Sequence, residues 1–297
     1  MESSVSTLTD LLTRAEFLTG VGAGIVALMI LYAFGPLRNH RAGGLWAWLL
    51  AGAGVVWIHF QVGRRLSLVL ALAVLGVGGW LLDRTRGRTD HAAWKVVAWV
   101  SILVGAYLFS ARSGLPAMGW LRVAAPTVAV VSALAIRRWD ETDRIQYLGM
   151  LFAISAFGIW ATVPDTEGAR MLLGAALPMA LGTFSSIGGS ARGGGAFAIT
   201  GLAAWIVALG GETRPASIVG GWACLGLIVA VPLILPNRSI ARLKPWVVIA
   251  IHTGVVVVAA RVIGLQESLA VALAGVSILI LAVVIAVAVL GRQAHES

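Results

Sequence analysis

Residues 246–264 read WVVIAIHTGVVVVAARVIG, and after a four-residue turn residues 269–290 read LAVALAGVSILILAVVIAVAVL. The first run carries one charged side chain, Arg261, and the second carries none. A helix crossing the hydrocarbon core of a bilayer needs about 20 apolar residues, with roughly 17–25 tolerated. Both runs are read as membrane-spanning helices. The same pattern recurs upstream at about 17–35, 44–62, 66–82, 93–111, 117–136, 145–163, 171–187, 195–210 and 217–235, giving eleven candidate spans. Only Arg64-Arg65 divides the second from the third, and the eighth is short, so counts of ten to twelve fit the pattern. The expected fold is an all-α polytopic integral membrane protein without a soluble domain. Residues 1–16 form an external tail, 17–290 a helical bundle and 291–297 a cytoplasmic tail.

Composition points the same way. Of 297 residues, 59 % are hydrophobic and 12 % charged, against roughly 45–50 % and about 25 % in soluble domains. Mean hydropathy is +0.92. Too little charge is present to cover a water-facing surface. That excludes a soluble globular enzyme, a disordered chain, a fibrous repeat and a nucleic-acid-binding domain. The net charge of +9 reads as the Lys/Arg excess of cytoplasmic loops. Only Lys95 and Lys244 are lysines, which looks like coding bias towards arginine. The single cysteine, Cys224, allows neither an intrachain disulfide nor a cysteine-based zinc site.

The N-terminal MESSVSTLTDLLTRAE sets Glu2, Asp10 and Glu16 against Arg14. A secretory signal needs a positive n-region, so the segment reads as a short retained tail. With this tail outside, 14 of the 22 cations fall on cytoplasmic loops and 8 on outer ones. The bias supports an outer N-terminus and a cytoplasmic C-terminus in a plasma membrane. The longest loop, 83–95, has 13 residues. Fused ATPase, kinase and glycosyltransferase modules are excluded, and function is expected within helices or short loops. Outer turns near Arg64, Gly114, Asp165, Glu212 and Gln266 recur at intervals of 47–54 residues. Duplicated hairpins would give this spacing, but so would any series of spanning pairs.

No cofactor signature emerges. Neither lysine follows a glycine, so there is no phosphate-binding loop. Gly20, Gly22 and Gly24 follow no strand, and Gly20 with Gly24 suits small-xxx-small helix packing. No His-x-x-x-His pair exists, and no metal or cofactor is expected. In the outer loop Pro164–Arg170, Asp165 and Glu167 could hold a cation or a proton. Asp165 could equally cap a helix starting near Met171. Glu212, Arg214 and Glu267 lie on the same side.

Ionisable residues inside spans carry more weight, because burying one is costly. His252 lies about two turns into the tenth span. Arg122 and Arg261 lie near the outer ends of the fifth and tenth, where they could snorkel or grip an anion in a guanidinium fork. For His252 the plain reading is a neutral imidazole bonded to a neighbouring helix, and the functional one a substrate or proton contact. His59, beside Gln61, reads as interfacial. Pro126, Pro178 and Pro232 fall inside spans and are expected to kink them. Thr183, Ser185 and Ser186 lead into GGSARGGG, residues 188–195, where Gly193 and Gly194 mark a candidate hinge or gate.

The leading functional expectation is a permease or flippase-like transporter of a small or lipid-linked anionic substrate. Its rival is a non-catalytic membrane scaffold subunit of a cell-envelope assembly. A third reading is an intramembrane enzyme acting on a lipid at the outer face through Asp165, Glu167 or His59. Expected partners are the lipid bilayer, an anionic or lipid-linked substrate and other membrane proteins, with no nucleic acid. The orientation of His252, Arg122 and Arg261 discriminates: a shared cavity favours transport, and scattered or lipid-facing positions favour the scaffold.

Overall fold

The computed structural model describes residues 10–33, 66–85, 92–112, 119–139, 148–184, 194–211, 214–234 and 245–296. Among these residues the chain is helical between short turns and has no strand. The helices are α1 (Ala15–Ala33), α2 (Leu66–Arg84), α3 (Ala92–Arg112), α4 (Leu121–Trp139), α5 (Leu148–Thr162), α6 (Glu167–Phe184), α7 (Gly194–Gly210), α8 (Pro215–Ile234), α9 (Pro245–Val258) and α10 (Leu269–Glu296). A π turn, Ala259–Ile263, extends α9. Ten of the eleven candidate spans coincide with one of these helices. The remaining one, 44–62, lies outside the described residues, as do His59 and Gly193.

Among the described residues, three segments are long and apolar enough to cross a membrane: Ser67–Arg84, Ala92–Ala111 and Trp246–Ile263. Others are apolar but shorter, such as Gly149–Thr162 and Gly195–Gly210. At 1.5 Å per residue, the 17 residues of α7 reach about 25 Å, short of a hydrocarbon core of about 30 Å. Among the described residues, helix length by itself therefore carries three crossings. Boundaries differ from the sequence reading at several points, three of which bear on the tails and the candidate site. The first described turn of helix, 10–13, precedes α1. Helix α6 begins at Glu167, four residues before Met171. Helix α10 runs to Glu296, through most of the segment read as a C-terminal tail.

The centre of the bundle is α7, buried at every residue from Gly195 to Ala208. A helix that is apolar all round belongs in such a place. Its one polar residue there, Thr200, donates to Ala129 O on α4 and Ala196 O on its own helix, both at 2.8 Å. Phe197 lies against Gly79 of α2, and Gly201 against Leu72. Trp222 of α8 donates its indole N–H to Ala204 O at 3.1 Å and stacks edge-on with Trp120 at 5.8 Å. At the periphery the pattern inverts. Helix α3 exposes Trp94, Val96, Val100, Leu103 and Tyr107, and α10 exposes Ile278 and Leu281.

Contact order along each pair gives the helix directions. Gly78 meets Ala98 and Ile102 while Gly105 meets Leu75, so α2 and α3 are antiparallel. Neighbours α7 and α8 run antiparallel too, with Gly221 on Val207 and Gly211 on Ile218. Among the described residues, α1 with α6 and α5 with α9 run parallel. Gly20 of α1 meets Met171 and Ala175 of α6, and Gly24 meets Ala175 and Pro178. Along α5 and α9, Leu151 and Ser155 meet His252, then Gly158 meets Val256, then Thr162 meets Gly264.

Candidate functional site

His252 is 5 % exposed and sits where α5, α8 and α9 meet. Its Nε2 lies 2.9 Å from both Ser155 Oγ and Leu151 O. Ser155 donates its hydroxyl to Cys224 O at 2.7 Å. A carbonyl oxygen only accepts, so Nε2 carries the proton and shares it between Leu151 O and Ser155 Oγ. One turn away, Gly158 leaves room for Cys224 and Val256, whose side chains a Cβ would meet at 2.5–2.7 Å. The junction is thus tightly packed and internally bonded. It ties three helices together where an unpartnered polar group would be costly.

Ser155 and His252 have the separation of a nucleophile and its base, though not the polarity. A base must accept the serine proton on the nitrogen facing it. Here that nitrogen donates, and the serine proton is committed to a backbone carbonyl. Sequence reading missed Ser155 because 97 positions separate it from His252, and a serine within an apolar run is unremarkable. The one available signal was that a buried imidazole needs a partner on another helix.

The remaining candidates lie at one end of the bundle, where α4, α6 and α8 begin and α5, α7 and the α9 extension end. Arg122 and Arg261 are exposed and make no ion pair among the described residues. Arg261 is nine residues beyond His252, about 13 Å along the axis and half a turn round the helix. The two do not share a site. Asp165 and Glu167 are exposed. Thr166, not Asp165, precedes α6, and its carbonyl accepts from the N–H groups of Ala169 and Arg170 at 3.0 and 3.3 Å. Glu167 occupies the first turn, where a carboxylate suits the helix dipole.

Pro126 is buried within α4. Pro178 continues within α6 and lies against Gly24 of α1. Pro232 falls in the closing turns of α8. Gly194 is the first residue of α7 rather than part of a loop. The π turn is where α9 departs from regularity. Gly264 N–H donates to Ala259 O at 2.9 Å, and the extra residue lets Gly264 sit on Gly220 of α8. There its carbonyl accepts from Ser217 Oγ at 2.8 Å.

Two ion pairs were not legible in the sequence, because each joins residues far apart along it. Arg137 of α4 binds Asp83 of α2 through Nε, and donates to Leu82 O at 3.3 Å. Both side chains are mostly buried, at 18 % and 16 % exposure. At the opposite end of the bundle, Arg170 Nε stands 3.8 Å from Glu16 Oε2. Arg170 also donates to Pro164 O at 3.0 Å. In the tail, the Asp10 carboxylate accepts from Arg14 at 2.8 Å and holds that guanidinium above its ordinary pKa. The described residues contain no group of three metal-ligating side chains.

The chain matches no family model, no curated protein and no solved structure.

Proposed function

We propose that the chain is a multi-pass membrane protein of about eleven crossings, with the N-terminus outside, that serves as a non-catalytic scaffold subunit of a cell-envelope assembly. Helix directions support the topology. In the eleven-span reading α1 and α6 are the first and seventh crossings, and α5 and α9 the sixth and tenth. Both pairs must then be parallel, and adjacent crossings antiparallel. The cytoplasmic side is the end bearing Arg84, Lys95 and Arg137, where Trp80, Trp94 and Trp246 are also exposed. Tryptophans of this kind belong at a bilayer interface.

The observation that carries the scaffold reading is how His252 is used. Its donor nitrogen and the Ser155 hydroxyl are spent on bonds between helices, and neither described intramembrane arginine joins them. A second reading, a permease for a small or lipid-linked anionic substrate, has one observation in its favour. Arg122 and Arg261, which make no ion pair among the described residues, lie at the same end of the bundle, and Arg261 is part of the π turn, a feature that recurs at functional sites. Complementation of a deletion strain by Arg122→Gln/Arg261→Gln separates the two. The scaffold reading expects full complementation at normal membrane abundance. Lost complementation by a normally inserted variant overturns it in favour of the permease.

A further inference from the structure

We propose that the cytoplasmic end of the α2–α3 hairpin binds the headgroup of an anionic phospholipid; the proposal rests on the membrane reading above. Antiparallel pairing of Gly78 with Ala98 and Ile102, and of Leu75 with Gly105, brings Arg84 level with Trp94, Lys95 and Val96. Arg84 and Lys95 are both exposed. The adjacent carboxylate, Asp83, is already taken by Arg137, so nothing nearby neutralises the two cations among the described residues. The Arg84 guanidinium lies 5.2 Å over the Trp80 ring, a cation–π contact that holds it in place while leaving its N–H groups free to donate. Trp80 and Trp94 are 49 % and 54 % exposed, at the depth where indoles sit among headgroups.

Below this charged end runs an apolar stripe. Val96, Val100, Leu103 and Tyr107 are all exposed and fall at helical spacing on one face of α3. Eleven residues of helix make a track of about 16 Å, the length of much of an acyl chain. Two cations above an apolar track match a lipid with a negative headgroup. A zwitterionic headgroup would bring an ammonium group to a surface where the described residues beside Arg84 and Lys95 offer no exposed carboxylate. Cations near a negatively charged membrane surface attract anionic lipid, and two give a preference of about tenfold or more.

The test uses the full chain reconstituted in phosphatidylcholine vesicles containing a small fraction of brominated phosphatidylglycerol or brominated phosphatidylcholine, with tryptophan quenching as the readout. The brominated phosphatidylglycerol should quench at about a tenfold lower fraction. That excess should vanish in Arg84→Gln/Lys95→Gln and also in Trp80→Phe/Trp94→Phe, which removes the local reporters. It should persist in Arg122→Gln/Arg261→Gln, which removes two cations at the other end. Equal quenching of the wild type by both lipids overturns the proposal and leaves the membrane reading standing. An excess that survives Arg84→Gln/Lys95→Gln also overturns it. No quenching by either lipid overturns the membrane reading itself.

Discussion

Replacing Gly20 by alanine tests the α1–α6 seam directly. A Cβ at Gly20 would fall on the carbonyl oxygen of Met171, with Ala175 N at 3.0 Å. Both obstacles are backbone, so no side chain can swing aside. Gly174 presents the reciprocal case, because its Cβ would fall on Phe17 O with Val21 N at 3.1 Å. Either substitution forces the helices apart by about 1 Å, which forfeits a quarter to a half of each dispersion contact along the seam. Overpacking of this kind costs about 1–3 kcal/mol. Gly22 is the internal control. It lies on α1 with nothing within 4 Å of its Cβ position, and alanine there gains up to about 1 kcal/mol of helix propensity. Unfolding in mixed micelles, followed by circular dichroism along a denaturing-detergent titration, should rank Gly22→Ala at or above wild type. Gly20→Ala and Gly174→Ala should each fall about 1–3 kcal/mol below. Gly20→Ala/Gly174→Ala should cost less than the sum, since one separation relieves both clashes. If Gly20→Ala and Gly22→Ala prove equally stable, the parallel α1–α6 contact is refuted.

Ser155→Ala should destabilise by about 1 kcal/mol by removing the hydroxyl that donates to Cys224 O and accepts from His252. Combined with His252→Leu it should show a coupling of about 0.5–1.5 kcal/mol in a double-mutant cycle, and strict additivity would contradict the shared bond. Arg137→Gln should cost about 1–3 kcal/mol, because it leaves the Asp83 carboxylate unpaired at an only partly solvated site. Asp83→Asn/Arg137→Gln should recover part of that loss, and no recovery would mean the pair is not coupled. Reporter fusions after Arg138 and after Glu167 should report cytoplasmic and external locations respectively, and the reverse pattern would invert the proposed topology.

Several features were legible because they depend on local pattern alone. Apolar runs bounded by Arg, Asp or Gly located ten described helices, since a backbone that meets little water must satisfy its own hydrogen bonds as helix. Gly20 and Gly24 were legible as a packing pair from their spacing, though not the helix they pack on. Boundaries drifted where charged residues joined a helix. Glu167 through Arg170 form the first turn of α6 because Thr166 supplies the preceding carbonyl, a detail hydropathy does not register. Gly194 belongs to a glycine-rich run that reads as loop, yet it is the first residue of α7.

What the sequence determined by itself is the class of molecule: a helical, largely apolar chain with too little charge for a water-facing surface. Those properties sum over residues and need no partner. The tertiary structure decided which polar groups meet. Ser155 and His252 are 97 residues apart, and Asp83 and Arg137 are 54 apart. Only the parallel course of α5 beside α9, and the placing of α4 beside α2, brings them within bonding reach. It also decided what His252 does with its proton. The need for a partner follows from burying a polar ring, but the choice of Leu151 O and Ser155 Oγ depends on two helix faces that hydropathy leaves indistinguishable.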